Sequence, residues 1–365
     1  MALPFIILGV AAAASAFGGK KAYDGYQKKS EADKMLASAK SRYENREKHL
    51  EYTRGVCTDK LNALGMKELA IGKDFDEFNR VAKELLARLQ KEGHKDLKLS
   101  IPQHSISKMQ NLAISATEYM TTVLGAGASG AAAGFAVYGG VMAFAAASTG
   151  TPIAALSGAA AYNATMAAIG GGSLAAGGWG MAGGAMVLGG AVVAPLIAIA
   201  GWAYDSHADK ALENARKSVK EADKAVEKMS SIIKKLVEVR KYAESISLLI
   251  SEMHDIFTEH YFAPLKEMHQ RIIASEGTQA KAADGLSEDI IRTIGNGYKL
   301  AAIMADVITT PLFKPMKTSD GEAVIENGAI KLKVDSDGMN VLNNDELDAA
   351  LQQSGTDFVQ FQINA

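Results

Sequence analysis

Between Glu118 and Asp205 the chain carries no charged side chain. Tyr119 to Tyr204 is built of Gly, Ala, Ser, Thr, aliphatic and aromatic residues, and Asn163 is its most polar side chain. A helix needs about 20 apolar residues to cross a bilayer, so the stretch has room for about three or four crossings, or about two long ones and a broad loop. Glycine costs a soluble helix about 1 kcal/mol against alanine, yet here it recurs at helical spacing. Gly130 and Gly134 form one GxxxG pair and Gly180 and Gly184 another, with Gly139/Ala143 a small-residue relative. Such spacing lets two helix backbones approach closely where no hydrophobic drive pulls them together. Turn signals at Ser148–Pro152 and Gly170–Ser173 divide the stretch into three blocks. Tyr119 at one end and Trp202 and Tyr204 at the other suit the aromatic belt of a bilayer interface.

Charge is confined to the flanks of this stretch. The 39 basic and 41 acidic residues nearly cancel, at −2, and no basic cluster marks a nucleic-acid surface. Seven prolines in 365 residues favour long helices. The single Cys57 excludes an intramolecular disulfide and a cysteine-rich zinc site.

At the N-terminus, Leu3 to Gly19 is apolar and ends at Lys20-Lys21. A cleaved signal peptide, a membrane-dipping helix and a helix stored in the protein are all open, and the missing basic residue before the apolar run favours retention. Residues 1–21 are therefore expected to form a membrane-seeking helix. Residues 22–118 read as a first helical arm. Leu36, Ala39, Tyr43, Leu50, Cys57 and Leu64 mark an imperfect heptad. Gly65 and Gly72 are expected to bracket a connection, with Asp74 capping a second helix. A third helix starting near Ser105 runs into the uncharged stretch, 119–204.

The strongest periodicity lies in the second arm, 205–310. Leu212, Ala215, Val219, Ala222, Val226, Met229, Ile233 and Leu236 alternate three and four apart. After a shift of three, the seam resumes at Val239, Tyr242, Ile246, Leu249, Met253 and Ile256. No Pro or Gly interrupts Asp205 to Tyr261. The pattern predicts a long coiled coil, locally overwound at the shift, whose partner is the first arm, returning antiparallel. Pro264 predicts a bend. A last helix begins near Leu286 and ends before Pro311.

Residues 311–365 change texture. Glu322–Val334 with Asn327-Gly328 at its centre predicts a hairpin. Asn344–Leu351 predicts a short helix, and Phe358–Ile363 alternates like an edge strand, so a small β-rich module is expected. No catalytic set, metal site or cofactor motif emerges. His254 and His260 lie six apart, unlike a metal-binding pair on one helix face, and no Lys follows the glycine clusters as a phosphate loop requires.

Two long arms flanking an uncharged Gly/Ala hairpin resemble α-helical pore-forming toxins of the cytolysin A type. The glycine texture of SGAAAGFAVYGG and GGSLAAGGWGMAGG resembles apolipoprotein-L-like membrane proteins. The resemblance implies a rod of long helices that stores an apolar tongue, here Tyr119–Tyr204, beside a membrane-inserting N-terminal helix. The expected fold is all-α, with long antiparallel coiled-coil arms, a Gly/Ala-rich apolar hairpin and a small β-rich C-terminal module. The expected function is not enzymatic. It is that of a membrane-associated, toxin-like, pore-forming protein with transmembrane helices, which oligomerises through Gly130, Gly134, Gly139, Gly180 and Gly184 to permeabilise or remodel a lipid bilayer. Trp202 would sit at the interface, with Leu212, Val219, Val226 and Ile233 on the coiled-coil seam. The alternative is a constitutively membrane-anchored coiled-coil scaffold that docks a protein partner through its C-terminal module.

Overall fold

Heptad spacing on the two arms becomes two long helices in the computed structural model, which describes residues 19–91, 103–122, 132–137, 208–274, 284–321, 324–326, 329–330, 332–335 and 340–364. Helix α1 is Gly19–Lys91, α2 is Gln103–Thr122, and α3 is a short helix at 132–137. Helix α4, Ala208–Phe257, passes through a π-helical turn, Thr258–Phe262, into α5, Ala263–Ala274. Helices α6, Asp284–Ile308, and α7, Asn344–Asn364, complete the helical set. Residues 1–18, which hold most of the expected N-terminal membrane-seeking helix, and the uncharged residues 138–204 lie outside the described residues.

The described residues form two compact units, one holding 19–55 and 208–237, the other 56–137 and 238–364. In the first, alanines recur among the buried positions. Ala32 and Ala39 of α1 and Ala215, Ala222 and Ala225 of α4 are almost fully covered, joined by Tyr43, Leu50, Met229 and Leu236. Alanine at a seam lets backbones approach closely, and larger aliphatics then fall to its sides. Arg42 Nη2 reaches Asp223 Oδ1 at 2.7 Å across this pair.

In the second unit the direction of the long helices can be read from their contacts. Lys60 Nζ meets Glu244 Oε1 at 3.3 Å, and Lys67 Nζ donates to the Ser251 hydroxyl. Farther along, Asp74 Oδ2 meets His254 Nε2 at 2.8 Å, and Glu84 Oε2 meets His269 Nε2 at 2.8 Å. Partner numbers rise together, at separations of 180 to 185 residues. The helices are therefore parallel, which corrects the expected antiparallel arms. A heptad identifies the buried face of a helix but not its partner's direction. The connection 92–207 is long enough to bring the chain back before α4 begins.

Two further expectations about the arms change. Helix α1 is unbroken through Gly65 and Gly72, and Asp74 sits in its interior facing His254. On α4, burial recurs at Ala222, Ala225, Met229, Ile232, Leu236, Val239, Ala243, Ile246, Ile250, Met253 and Phe257. That is an uninterrupted alternation of three and four, so the expected shift after Leu236 is absent.

The π turn has a local cause and a packing consequence. Pro264 has no N–H to give the helix, and just before it the Ala263 N–H bonds back to the Thr258 carbonyl, one residue farther than in an α-helix. The widened turn places Phe257 and Phe262, five residues apart, on one side, with ring centroids 5.9 Å apart. Both pack on Phe78 of α1, at 5.1 and 6.3 Å, and Phe78 also meets Tyr298 of α6 edge-on at 5.3 Å. Gly297 leaves room for that ring, since a Cβ there would lie 2.4 Å from Phe78 Cζ. Truncating one such buried Phe to Ala typically costs about 3–5 kcal/mol.

The C-terminal region is not β-rich. Its main element is α7, and Phe358–Ile363, expected as an edge strand, lies inside it. Leu347, Ser354, Phe358 and Phe361 are buried at helical spacing, whereas Val359 and Ile363 are exposed. A strand would have gathered Val359, Phe361 and Ile363 on one face. The helix instead buries both aromatic rings, the larger apolar gain. Asn343, Asp345 and Glu346 favour helix initiation here: acidic side chains complement the first turn, and Asn343 Nδ2 donates to Glu346 Oε2 at 2.7 Å. Among the described residues, β structure in this region amounts to Ile325–Glu326 paired antiparallel with Ala329–Ile330, plus isolated bridges such as Phe313 with Leu342.

Among the described residues no helix is long and apolar enough to cross a membrane. Charged residues recur along α1 and α4 on the faces away from their seams. The expectation of transmembrane helices is corrected accordingly. The pore-forming, toxin-like character that rested on them loses that support, and an integral placement in the membrane is unsupported.

Candidate functional site

The site of interest is where the uncharged stretch begins. Helix α2 runs back along α1. Gln110 Nε2 donates to Asn79 Oδ1 at 3.3 Å, and Leu112 and Ala116 face Gly72. The chain then brings Ala132 of α3 against Gly65. A Cβ on Gly72 would lie 2.3 Å from Ala116 Cβ, and one on Gly65 only 1.8 Å from the Ala132 carbonyl oxygen. These glycines are notches that admit the returning chain, not helix breaks. Tyr119 and Phe135, both in the uncharged stretch, close the contact edge-to-face at 5.2 Å.

One charged residue type lies on this apolar face. Glu68 sits three residues after Gly65 and four before Gly72, on the same side of α1. It continues the buried line of Cys57, Leu61, Leu64, Ile71 and Phe75, and only 2% of it is exposed. Its Oε2 has no hydrogen-bond partner among the described residues. Burial pushes its carboxyl well above the usual carboxylate range. The nearest ammonium along α1, that of Lys67, is committed to Ser251 and to the Ser247 carbonyl of α4.

Of the residues singled out from sequence, Gly134 lies in α3 and is buried. Gly130, Gly139, Gly180, Gly184 and Trp202 lie outside the described residues. On α4, Ile233 is buried while Leu212, Val219 and Val226 are half-buried beside the alanine line. Gly65 and Gly72 were expected only to bracket a connection, and Glu68 was not singled out. Glu68 had a legible signal, a carboxylate at a three-and-four position in a run of buried apolar residues.

Reactive chemistry is sparse. Cys57 is fully buried, and burial pushes its thiol up to about 12, with Arg240 opposing and Glu244 reinforcing the shift. Its sequence neighbour His49 is exposed. Among the described residues no three His, Cys, Asp or Glu side chains gather as a metal site. No family model, curated protein or solved structure matches the chain. The functional reading therefore rests on the residues themselves.

Proposed function

We propose that this is a membrane-associated helical protein whose uncharged stretch enters a lipid bilayer, self-associates through its glycine faces, and permeabilises or remodels that bilayer. One observation carries the reading: Tyr119 to Tyr204 contains no charged residue, while both flanks are densely charged. A soluble surface is normally covered with Lys, Arg, Asp and Glu, so a stretch of this length without any needs an apolar environment. Its first part, Tyr119 and 132–137, finds one against α1. The small-residue spacing of Gly180 and Gly184 suits close helix association within lipid.

The test is flotation of the purified full-length protein with liposomes, paired with release of an entrapped dye. Flotation with release is the expected result. Flotation without release would favour the alternative of an anchored scaffold whose C-terminal module docks a partner. Absence of flotation on both neutral and anionic vesicles would remove the bilayer from the function.

A further inference from the structure

A glutamate in the middle of an apolar helix seam works against folding unless it stays neutral, because an ionised carboxylate buried without a partner is expensive. Glu68 is in that position. Among the described residues, the groups around its unpartnered Oε2 offer no compensation. On α1, Lys67 is bound to α4, Lys73 is exposed, and Asp74 is paired with His254. On α2, Lys108 is paired with Asp306 of α6 and Tyr119 packs on Phe135. Helix α3 has no titratable residue. On α4 the buried residues at this level are Ile246, Ile250 and Met253; Glu244 is paired with Lys60, and Glu252 is exposed. None of these described groups can answer ionisation in place, so it is relieved by letting water in.

The elements around Glu68 are not held equally. Helix α4 is fixed to α1 over 50 residues by a buried seam, the Lys60–Glu244 ion pair, the Asp74–His254 contact and edge-to-face aromatic rings. Near Glu68 the six-residue α3 meets α1 through Ala132 in the Gly65 notch and buries Phe135 and Val137, and the end of α2 seats Ala116 in the Gly72 notch. We propose that Glu68 is a proton-controlled latch: its neutral form holds α3 and the end of α2 on α1, and its ionisation frees this start of the uncharged stretch. The consequence for a bilayer rests on the function proposed above, but the latch itself does not.

The sign follows from burial. Below the ordinary carboxylate range Glu68 is neutral in both the packed and the released form, and packing bears no penalty. As pH rises above that range the released form ionises while the packed form holds its proton, because burial raises the pKa of the packed form. Packing is then lost by about tenfold per pH unit until the raised value is passed. Rising pH opens the latch.

Amide hydrogen exchange on the full-length protein from pH 5 to pH 9, each amide normalised to its intrinsic rate, tests this without lipid. In the wild type, protection over 112–122 and 132–137 should fall by about tenfold per pH unit over part of that range. Protection over 240–257 should hold. Glu68→Gln should keep α2 and α3 protected and remove their pH dependence. If that variant fails to fold by circular dichroism, Glu68→Ala must show the same pH-independence. Constant wild-type protection across the range, or an undiminished pH dependence in the variants, would overturn the latch. Because no vesicle is present, that failure is distinguishable from a failure of the bilayer reading.

Discussion

Replacing glycine by alanine inside a helix ordinarily stabilises it by about 1 kcal/mol, through the entropy of the unfolded chain and better helix propensity. This protein offers an internal comparison. At Gly55 of α1 and Gly355 of α7 an added Cβ meets nothing within 4 Å, so Gly55→Ala and Gly355→Ala should each gain about 0.5–1 kcal/mol. At Gly65 the same methyl would lie 1.8 Å from the Ala132 carbonyl oxygen. Carbon and oxygen need about 3.3 Å, so backbone has to move by roughly 1.5 Å. If α3 stays in place, overpacking costs about 1–3 kcal/mol, and a backbone clash belongs at the upper end. If α3 detaches, it exposes Phe135 and Val137, each worth roughly 1.5–3 kcal/mol when buried. Either route outweighs the propensity gain. Gly65→Ala should therefore fall below Gly355→Ala, its control in the same compact unit, by about 2–3 kcal/mol. Urea unfolding followed by far-UV circular dichroism reads the difference, and hydrogen exchange over 132–137 should report the disturbance locally. If Gly65→Ala is as stabilising as Gly355→Ala, the returning chain does not pack in the Gly65 notch, and the geometry assigned to the start of the uncharged stretch is refuted.

Two further outcomes follow from the titratable groups. With its thiol pushed up to about 12 by burial, Cys57 should react with a disulfide reagent at pH 8 roughly a thousandfold more slowly in the folded protein than in urea; fast modification without unfolding would contradict its burial. The Glu84 carboxyl is held below its usual value, chiefly by the hydrogen bond from His269, with Arg80 assisting. That contribution is present above the ordinary carboxylate range and is lost as pH falls through the lowered value. His269→Leu should therefore flatten the acid limb of stability against pH, modestly because Glu84 is exposed. Superimposable acid limbs for wild type and variant would show that the pair is inert.

The class of the fold was legible because period is a local property. Few prolines and sustained three-and-four spacing leave little but long helices. What escaped were features that depend on the partner. The spacing of Ala222, Met229 and Leu236 says which face is buried, but only contacts such as Asp74 with His254 and Glu84 with His269 reveal that α1 and α4 run in parallel. Gly65 and Gly72 looked like punctuation because a glycine's local effect is to weaken a helix; its use as a notch appears only once Ala132 and Ala116 are opposite. Phe358–Ile363 fits both a strand and a helix over six residues. The choice was made by what the wider helix Asn344–Asn364 could bury, which no short window shows. Glu68 was hidden by habit, since a single carboxylate within a charged arm reads as surface until its heptad position is counted.

The packing of α3 changes which charge substitution can interrogate the glycine faces. Gly134 belongs to a GxxxG pair with Gly130, but in the protein's own fold it is buried in α3. Gly134→Glu would therefore place a carboxylate at a buried position of α3, and its effects on folding and on any self-association would be inseparable. Loss of vesicle leakage in that variant alone would carry no information about the glycine face. Gly184→Glu puts the same charge in the second GxxxG pair, far along the uncharged stretch. It should abolish dye release and oligomer formation on vesicles while leaving the unfolding free energy of the helical units, read in urea, within about 0.5 kcal/mol of wild type. Leakage that survives Gly184→Glu, with the bundle intact, would take the Gly180–Gly184 face out of the mechanism.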